Sequence, residues 1–213
     1  MIFPDSQTNR ERAVRTIAAG GLIAFRTDTF YAIGADPLNP MAVRQIIDLK
    51  GREGKPILLL ISDVSEVDRF IADQSDAFKL LAGSLWPGAL TIVGKANTGL
   101  SKDLTAGTGT IGVRLPDDDG LRDLIRQCGG ALTGTSANFS GAAASRSAQE
   151  VLNYFPTGVD VILDGGETTA TEPSTVVDAS EEVPRIIREG VIPRREVEEA
   201  LAQKERRGDR ETR

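Results

Sequence analysis

Histidine is missing from this sequence of 213 residues, and cysteine occurs only once, at Cys128. The first absence excludes a Ser-His-Asp triad, a histidine general base and a histidine-ligated zinc ion. A single cysteine cannot form an internal disulfide, which is typical of a reducing cytoplasm, and it is more typical of a small buried hydrophobe than of a nucleophile. Any chemistry must therefore use carboxylates, hydroxyls, Lys, Arg, backbone dipoles or a hard metal ion that a substrate brings.

Long apolar runs and an excess of basic residues are lacking too. No segment reaches the roughly 20 apolar residues that a membrane-spanning helix needs. The first residues show no basic region followed by an apolar core, so no secretory signal is predicted. The net charge of −6 favours repulsion of nucleic acid over attraction. We therefore expect a cytoplasmic protein that has no membrane partner.

Apolar runs of strand length alternate with helical stripes, which predicts an α/β fold with a mixed sheet. Helices are predicted at 8–19, 40–50, 121–127, 147–154 and 194–202, with two short ones within 63–85. Strands are predicted at 22–25, 57–61, 90–93, 111–115, 131–133, 159–163, 175–177 and 185–187. Residues 203–213 are charged and lack apolar anchors. We therefore predict one domain over residues 1–202 and a disordered tail at 203–213.

The segment from Ala131 to Gly141 is the most informative part of the sequence. It has the pattern of a buried strand that runs into a polar turn, and five hydroxyl or amide side chains follow one another closely: Thr133, Thr135, Ser136, Asn138 and Ser140. Such groups are costly to bury without partners, so the segment predicts a ligand, backbone partners or ordered water. A turn that bonds only its own backbone is the alternative.

Five basic residues suggest an anion-binding pocket. Lys50, Arg52 and Lys55 lie close together past a predicted helix end, where they also suit a solvated helix C-terminus. Arg114 and Arg188 each follow an apolar run, where a buried charge needs an anionic partner. Arginine binds carboxylate or phosphate in a fork-like geometry. On an acidic chain, these positions favour a cationic pocket for a small anion, with a solvated cationic surface as the alternative.

The sequence does not support either of two common nucleotide-binding loops. The stretch from Gly107 to Gly112 has the spacing of a dinucleotide-binding loop, but it precedes a predicted strand instead of opening a helix. The sequence has no G-x-x-x-x-G-K-[ST] motif, so a P-loop is excluded as well. Any nucleotide site must be built differently.

Seven motifs in one order resemble the YrdC-like family, the threonylcarbamoyl-adenylate synthases of transfer-RNA modification. They occupy residues 22–31, 50–52, 86–91, 111–116, 131–141, 173–178 and 186–190. The resemblance implies a YrdC-like single domain of the α/β (α+β) class, with a twisted mixed parallel and antiparallel sheet, flanking helices and a concave cationic pocket. It also implies the short branch of the family, without the extra C-terminal domain.

The resemblance implies an enzyme that makes L-threonylcarbamoyladenylate from L-threonine, bicarbonate or CO2, and ATP, and releases pyrophosphate. A carbamate formed on the threonine amine attacks the α-phosphorus of ATP, and Mg²⁺ arrives with the ATP. Such chemistry is mostly positioning and charge neutralisation, so it needs no histidine. The implied recipient of the product is the tRNA threonylcarbamoyl transferase machinery. Direct binding of tRNA is not favoured by the net charge.

The resemblance also implies the site residues. The catalytic set is Lys50, Arg52, Ser136 and Asn138. The L-threonine site comprises Thr27, Thr29, Tyr31, Arg114, Ser136 and Ser174, with Arg114 on the substrate carboxylate. The ATP site comprises Arg52, Lys55, Thr110, Asn138, Arg146 and Arg188. No resident metal site is implied.

The sequence departs from the family pattern in four places. Arg26 stands where the family usually has proline. Ala32 and Ile33 replace the first Gly and the Leu of its Tyr-Gly-Leu-Gly motif. The segment after Arg52 is one residue shorter than in many relatives, and the sequence around Arg146 drifts from the Ser-Gly-x-Pro-Ser-Pro pattern.

Two other functions remain open. One alternative is a YrdC-like RNA-binding module without catalysis, which the net charge disfavours. The other is a carbamoyl-transferring paralogue with a different acceptor. Retention of the Thr-Ser-Ala-Asn motif together with Lys50 and Arg52 favours the synthase.

Overall fold

The computed structural model describes residues 1–51 and 54–211, with side chains described as far as residue 202. Within that part of the chain, one 3-10 helix spans Val64–Arg69 and seven α-helices are present. The α-helices are α1 (Gln7–Ala18), α2 (Pro40–Lys50), α3 (Asp76–Leu85), α4 (Lys102–Thr105), α5 (Asp119–Gln127), α6 (Ala148–Tyr154) and α7 (Arg194–Glu211). None of the helices described is both long and apolar enough to cross a bilayer.

Twelve strands lie in the same part of the chain. The first six are β1 (Ile2–Pro4), β2 (Ile23–Phe25), β3 (Ala32–Gly34), β4 (Leu59–Ile61), β5 (Ile71–Asp73) and β6 (Leu90–Ala96). The other six are β7 (Thr110–Arg114), β8 (Ala131–Thr133), β9 (Thr135–Ser136), β10 (Val161–Asp164), β11 (Thr175–Asp178) and β12 (Arg185–Arg188).

The strands form two sheets. The first has five strands in the order β1-β10-β2-β3-β9, with parallel pairing from β1 to β2 and antiparallel pairing beyond. The second has seven strands, ordered β12-β11-β6-β7-β4-β8 with β5 beside β6, and it too mixes both kinds of pairing. The predicted α/β class with mixed pairing is confirmed, although two sheets replace the one expected.

Alternation along the seven-stranded sheet separates the core from a polar face. Successive side chains of a strand point to opposite faces. Ile92 of β6 and Val113 of β7 are fully buried and belong to the main apolar core. Their neighbours Thr91 and Arg114 therefore point to the other face, where the five-stranded sheet lies. The fold thus directs polar side chains between the two sheets.

Helix α2 begins and ends where its sequence signals predict. The side chain of Asn39 accepts hydrogen bonds from the N–H groups of Met41 and Ala42, and Pro40 occupies the first turn. Gly51 ends the helix in the left-handed conformation, with a φ of 58° that favours glycine. This boundary fixes Lys50 as the last helical residue, next to the polar segment 131–141.

Four strands and one helix were not predicted, and each is short. They are β1, β3, β5, β9 and α4, of two to four residues each. Elements of that length carry too little periodicity to be recognised, and β9 is polar because it pairs with β3 at a sheet edge. Helix α7 continues to Glu211, past the predicted end at Ala202. The disorder expected for residues 203–213 stays a prediction.

Candidate active site between the two sheets

A cleft of about 620 Å³ is lined by residues from both sheets. Seven of the predicted site residues line it: Thr27, Thr29, Tyr31, Arg114, Ser136, Ser174 and Arg188. Apolar side chains complete the wall, among them Leu58, Val93 and Val176. The polar strand ends that are distant in sequence therefore meet at one place.

The turn after β2 is held by its own hydroxyl groups. Thr27 Oγ1 accepts a hydrogen bond from the N–H of Thr29 at 3.0 Å and donates one to the carbonyl of Phe30 at 2.7 Å. The Thr29 hydroxyl lies 3.0 Å from Thr27 Oγ1. From outside the turn, the Thr168 hydroxyl donates to the carbonyl oxygen of Thr29. These bonds fix both threonine side chains before any ligand arrives.

Arg114 connects this turn to the seven-stranded sheet. Its Nη2 lies 2.5 Å from Asp28 Oδ1, its Nη1 donates to Thr29 Oγ1 at 3.1 Å, and its Nε donates to the carbonyl of Gly88 at 3.0 Å. Only 4% of the side chain is exposed, and burial lowers the pKa of Arg114 while the charge of Asp28 opposes that shift. The anionic partner that this buried arginine needs is therefore supplied by the protein itself.

The contact between Arg114 and Asp28 is ionic but not an aligned hydrogen bond. Among the described residues, neither Arg114 Nη2 nor Asp28 Oδ1 has a hydrogen-bond partner of good geometry, although the two atoms are close. A guanidinium carries five N–H donors. Arg114 can consequently present N–H groups to a carboxylate in the cleft while it stays paired with Asp28.

Arg188 differs from Arg114 because its charge is not neutralised nearby. Its Nη2 and Nε donate to the carbonyl of Ser174 at 2.8 and 3.2 Å, and its Nη2 lies 3.3 Å from Ser174 Oγ. Burial and the nearby charge of Arg114 both lower the pKa of Arg188. No carboxylate of the described residues forms an ion pair with it. Arg188 thus gives the cleft a net positive charge.

Lys50 and Asn138 support the polar segment from behind the cleft wall. The buried Lys50 donates through Nζ to the carbonyl of Ser136. Asn138 donates through Nδ2 to the carbonyl of Ala142 at 2.6 Å, whereas its buried Oδ1 has no hydrogen-bond partner within the described residues. A buried acceptor without a donor is costly. Asn138 thus holds the turn at Ala142, while its Oδ1 stays enclosed by the protein.

Tyr31 borders the cleft but is fully buried, and its hydroxyl is bonded to the protein. The hydroxyl donates to the carbonyl of Gly166 at 2.7 Å and accepts from the N–H of Gly165 at 3.2 Å. Burial raises the pKa of Tyr31 to about 12. The hydroxyl of this side chain, which the resemblance assigned to L-threonine, is therefore already bonded within the protein.

The structure does not place the remaining predicted residues on the cleft wall. Lys55 lines a separate cavity of about 410 Å³. Thr110 lies on the same face of β7 as Arg114, but its hydroxyl is 3.0 Å from that of Thr108. Arg146 donates to the carbonyl of Thr168 at 3.1 and 3.2 Å and so braces the turn at Thr29 from outside. Arg52 lies outside the described residues.

Two residues of the site were missed in the sequence. Asp28 lies between two predicted threonines, and its role as the counter-ion of Arg114 depends on a contact across 86 positions that no spacing reveals. Thr91 is the last residue of one of the seven motifs; it lines the cleft and its hydroxyl lies 2.9 Å from Ser174 Oγ.

Within the described part of the chain, no group of three or more His, Cys, Asp or Glu residues could hold a metal ion.

Replacement of Arg188 tests whether the cleft binds an anion through this guanidinium. We expect Arg188→Gln to weaken ATP binding by about 1.5–3 kcal/mol, because a charge-assisted contact is lost. Isothermal titration with a non-hydrolysable ATP analogue measures the change. Arg185→Gln on the same strand is the matched control, since that side chain is 78% exposed. Equal affinity of the two variants would remove Arg188 from the nucleotide site.

Comparison with known proteins finds relatives over most of the chain. A family model named for Sua5, YciO and YrdC, and described as telomere recombination, matches residues 15–190. The threonylcarbamoyl-AMP synthase of Pyrococcus abyssi (strain GE5 / Orsay) is 32% identical over 188 residues, which cover 88% of this chain and 55% of that protein. The threonylcarbamoyl-AMP synthase of Idiomarina loihiensis is 35% identical over 163 residues, 74% of this chain and 87% of that protein.

A solved structure has nearly the same fold. The crystal structure of P. abyssi Sua5 complexed with L-threonine superimposes with a TM-score of 0.88 at 31% identity, covering 94% of this chain and 59% of that one. The present chain therefore spans only a little more than half the length of its P. abyssi relatives. The residues matched by the family model, 15–190, include every cleft-lining residue named above.

Proposed function

Because the chain belongs to the Sua5, YciO and YrdC family, we propose that it is an L-threonylcarbamoyladenylate synthase. In this proposal it joins L-threonine, bicarbonate or CO2, and ATP, and releases pyrophosphate. The resemblance in the sequence motifs pointed to the same family. The relatives named as synthases and the structure with bound L-threonine support the choice of reaction.

The observation that carries the proposal is the meeting of two kinds of group in one cleft. Thr27, Thr29 and Ser136 line it from the five-stranded sheet, and Arg114 and Ser174 line it from the other. Hydroxyls beside a guanidinium suit the hydroxyl and the carboxylate of a small amino acid. Arg188 adds a positive charge at the same cleft for the phosphates of ATP.

The reaction needs two bond-forming steps, and the chain supplies positioning and charge for both. The threonine amine adds to CO2 and loses a proton, which gives a carbamate. A carbamate oxygen then bonds to the α-phosphorus of ATP, and the bond from that phosphorus to the bridging oxygen breaks, so pyrophosphate leaves. Arg188 offsets the charge on the phosphates, and Arg114 fixes the carboxylate end. Asn138, which the resemblance assigns to the catalytic set and to the ATP site, holds the turn at Ala142 from behind the cleft wall.

The ATP is proposed to enter as its Mg²⁺ complex, as part of the substrate. Mg²⁺ keeps several waters and is held largely by substrate phosphates in many sites of this kind. We further propose that the adenylate passes to the tRNA threonylcarbamoyl transferase machinery in the cytoplasm, since a mixed anhydride of carbamate and phosphate hydrolyses readily. Direct contact with tRNA is not part of the proposal, because the chain is acidic.

Pyrophosphate release tests the proposal directly. With ATP, bicarbonate, Mg²⁺ and L-threonine, we expect release that depends on every component, and we expect the adenylate to be detected by mass spectrometry. Omission of L-threonine is the control. If no amino acid stimulates release, the synthase assignment falls, and the RNA-binding module without catalysis takes its place. Pyrophosphate release that needs a different acceptor in place of L-threonine would favour the carbamoyl-transferring paralogue.

A further inference from the structure

Thr91 lies in the cleft at a position to which no role has been assigned. It is the second residue of β6, only 2% of it is exposed, and it pairs in register with Val176 of β11. Its hydroxyl lies 2.9 Å from Ser174 Oγ, and no other hydrogen bond of this hydroxyl is recorded within the described residues. A buried hydroxyl that contacts a site residue can control how that residue is used.

The γ-methyl of Thr91 packs against a glycine on the neighbouring strand. A Cβ built on Gly112 of β7 would lie 3.0 Å from the γ-methyl of Thr91, so the methyl occupies the space that a side chain at 112 would take. The hydroxyl is thereby left on the side of β11, facing Ser174. Threonine has few rotamers because it is branched at Cβ, so this packing holds the hydroxyl in place.

The contact with Thr91 limits which hydrogen bonds the Ser174 hydroxyl can still form. A hydroxyl has one hydrogen to donate and two lone pairs to accept with, whereas arginine only donates. Arg188 Nη2, at 3.3 Å, occupies one lone pair of Ser174 Oγ. If Thr91 donates to the second lone pair, both are filled, and the only remaining capacity of Ser174 is its own hydrogen. That hydrogen then points into the cleft.

We propose that Thr91 is a positioning residue that donates to Ser174 Oγ and thereby commits the Ser174 hydroxyl to donate to an oxygen of the amino-acid substrate. The proposal rests on the proposed function, because it specifies how that site recognises L-threonine. Thr91 itself does not touch the substrate. Its effect on substrate recognition is carried entirely by Ser174.

The test is a double-mutant cycle read as KM and kcat in the pyrophosphate assay. Thr91→Val removes the hydroxyl and keeps the shape, and we expect the KM for L-threonine to rise about fivefold, as for the loss of one hydrogen bond, with kcat and the KM for ATP unchanged. Ser174→Ala should raise the KM for L-threonine at least as much. In the Ser174→Ala background, Thr91→Val should have no further effect, whereas independent contributions would multiply.

Three further variants separate positioning from general damage. Thr91→Ser restores the donor, so we expect most of the affinity to return. Gly112→Ala keeps both hydroxyls but crowds the γ-methyl of Thr91, so it should raise the KM for L-threonine even if Thr91→Val folds poorly. Because Gly112 also lines the cleft, this rise should disappear in the Thr91→Ser background, where that methyl is absent; a rise that persists there would come from the cleft and not from Thr91. Thr105→Val removes a buried threonine hydroxyl on α4, outside the cleft, and should leave the KM for L-threonine unchanged.

Each outcome either supports or overturns the proposal. Multiplicative effects of Thr91→Val and Ser174→Ala would show that Thr91 does not act through Ser174. An unchanged KM for L-threonine in Thr91→Val, with an active wild-type enzyme, would overturn the inference and leave the synthase intact. A wild-type enzyme without threonine-dependent release would overturn the proposed function, and the inference with it.

Discussion

L-Valine will be used about 10⁴-fold less efficiently than L-threonine, measured as kcat/KM for pyrophosphate release. The two amino acids have nearly the same shape, and valine has a methyl where threonine has its hydroxyl. A site built to bond a hydroxyl rejects an analogue without one because buried polar groups are left unpaired. Thr29, Ser136 and Ser174 supply such groups in this cleft, whereas the Thr27 hydroxyl is already bonded within its own turn.

L-Serine separates hydroxyl recognition from fit. It keeps the hydroxyl and lacks only the methyl, so we expect a penalty of about 1–3 kcal/mol, the usual size for one apolar group. The assay uses saturating ATP and bicarbonate with each amino acid in turn. If valine were used as well as threonine while serine was rejected, the cleft would select shape, and the hydroxyl-recognition model would be wrong.

Removal of Arg114 is expected to affect stability as well as activity. Arg114→Met leaves Asp28 without its counter-ion, and such a change commonly costs about 3–5 kcal/mol because a largely buried charge is left uncompensated. The same variant loses the carboxylate contact, so threonine-dependent release should fall below detection. Urea unfolding followed by circular dichroism measures the first effect, and the pyrophosphate assay measures the second.

A second substitution separates these two effects. Asp28→Asn in the Arg114→Met background removes the uncompensated charge, so most of the unfolding free energy should return while activity stays lost. Arg126→Met serves as the matched control, because Arg126 is also paired with an acidic residue, Asp123, but both side chains are exposed. Surface ion pairs contribute little, so this control should unfold nearly as the wild type does. Recovery of activity in the double variant would contradict the role of Arg114.

The sequence predicted the fold class well wherever elements were long enough to show a period. Helix α2 was recognised from Asn39 and Pro40 at one end and Lys50 at the other, and β8 was predicted with its observed bounds. Strand β3 was missed because three residues show no alternation. The division into two sheets could not be predicted either, since it depends on which strands pair, and pairing between distant segments leaves no local signal.

The site was predicted as a set of residues but not as a set of contacts. Thr27, Arg114 and Ser174 were named from motifs and lie on one cleft. The pairing of Arg114 with Asp28 could not be read from the chain, since it needs the two sheets to be assembled first. Tyr31 was assigned to the substrate because of its place in a motif, yet local packing gives its hydroxyl to Gly165 and Gly166.

The position of Arg114 constrains how the proposed activity could evolve. Its backbone belongs to one sheet, while Asp28 and Thr29, which it contacts, follow a strand of the other. The same residue therefore affects both the choice of amino-acid substrate and the stability of the contact between the two sheets. A substitution of Arg114 that changes substrate specificity would also remove this contact, so it would need another contact between the sheets to replace it. Changes at neighbouring positions such as Ser174 do not carry that requirement and offer an easier route to new specificity.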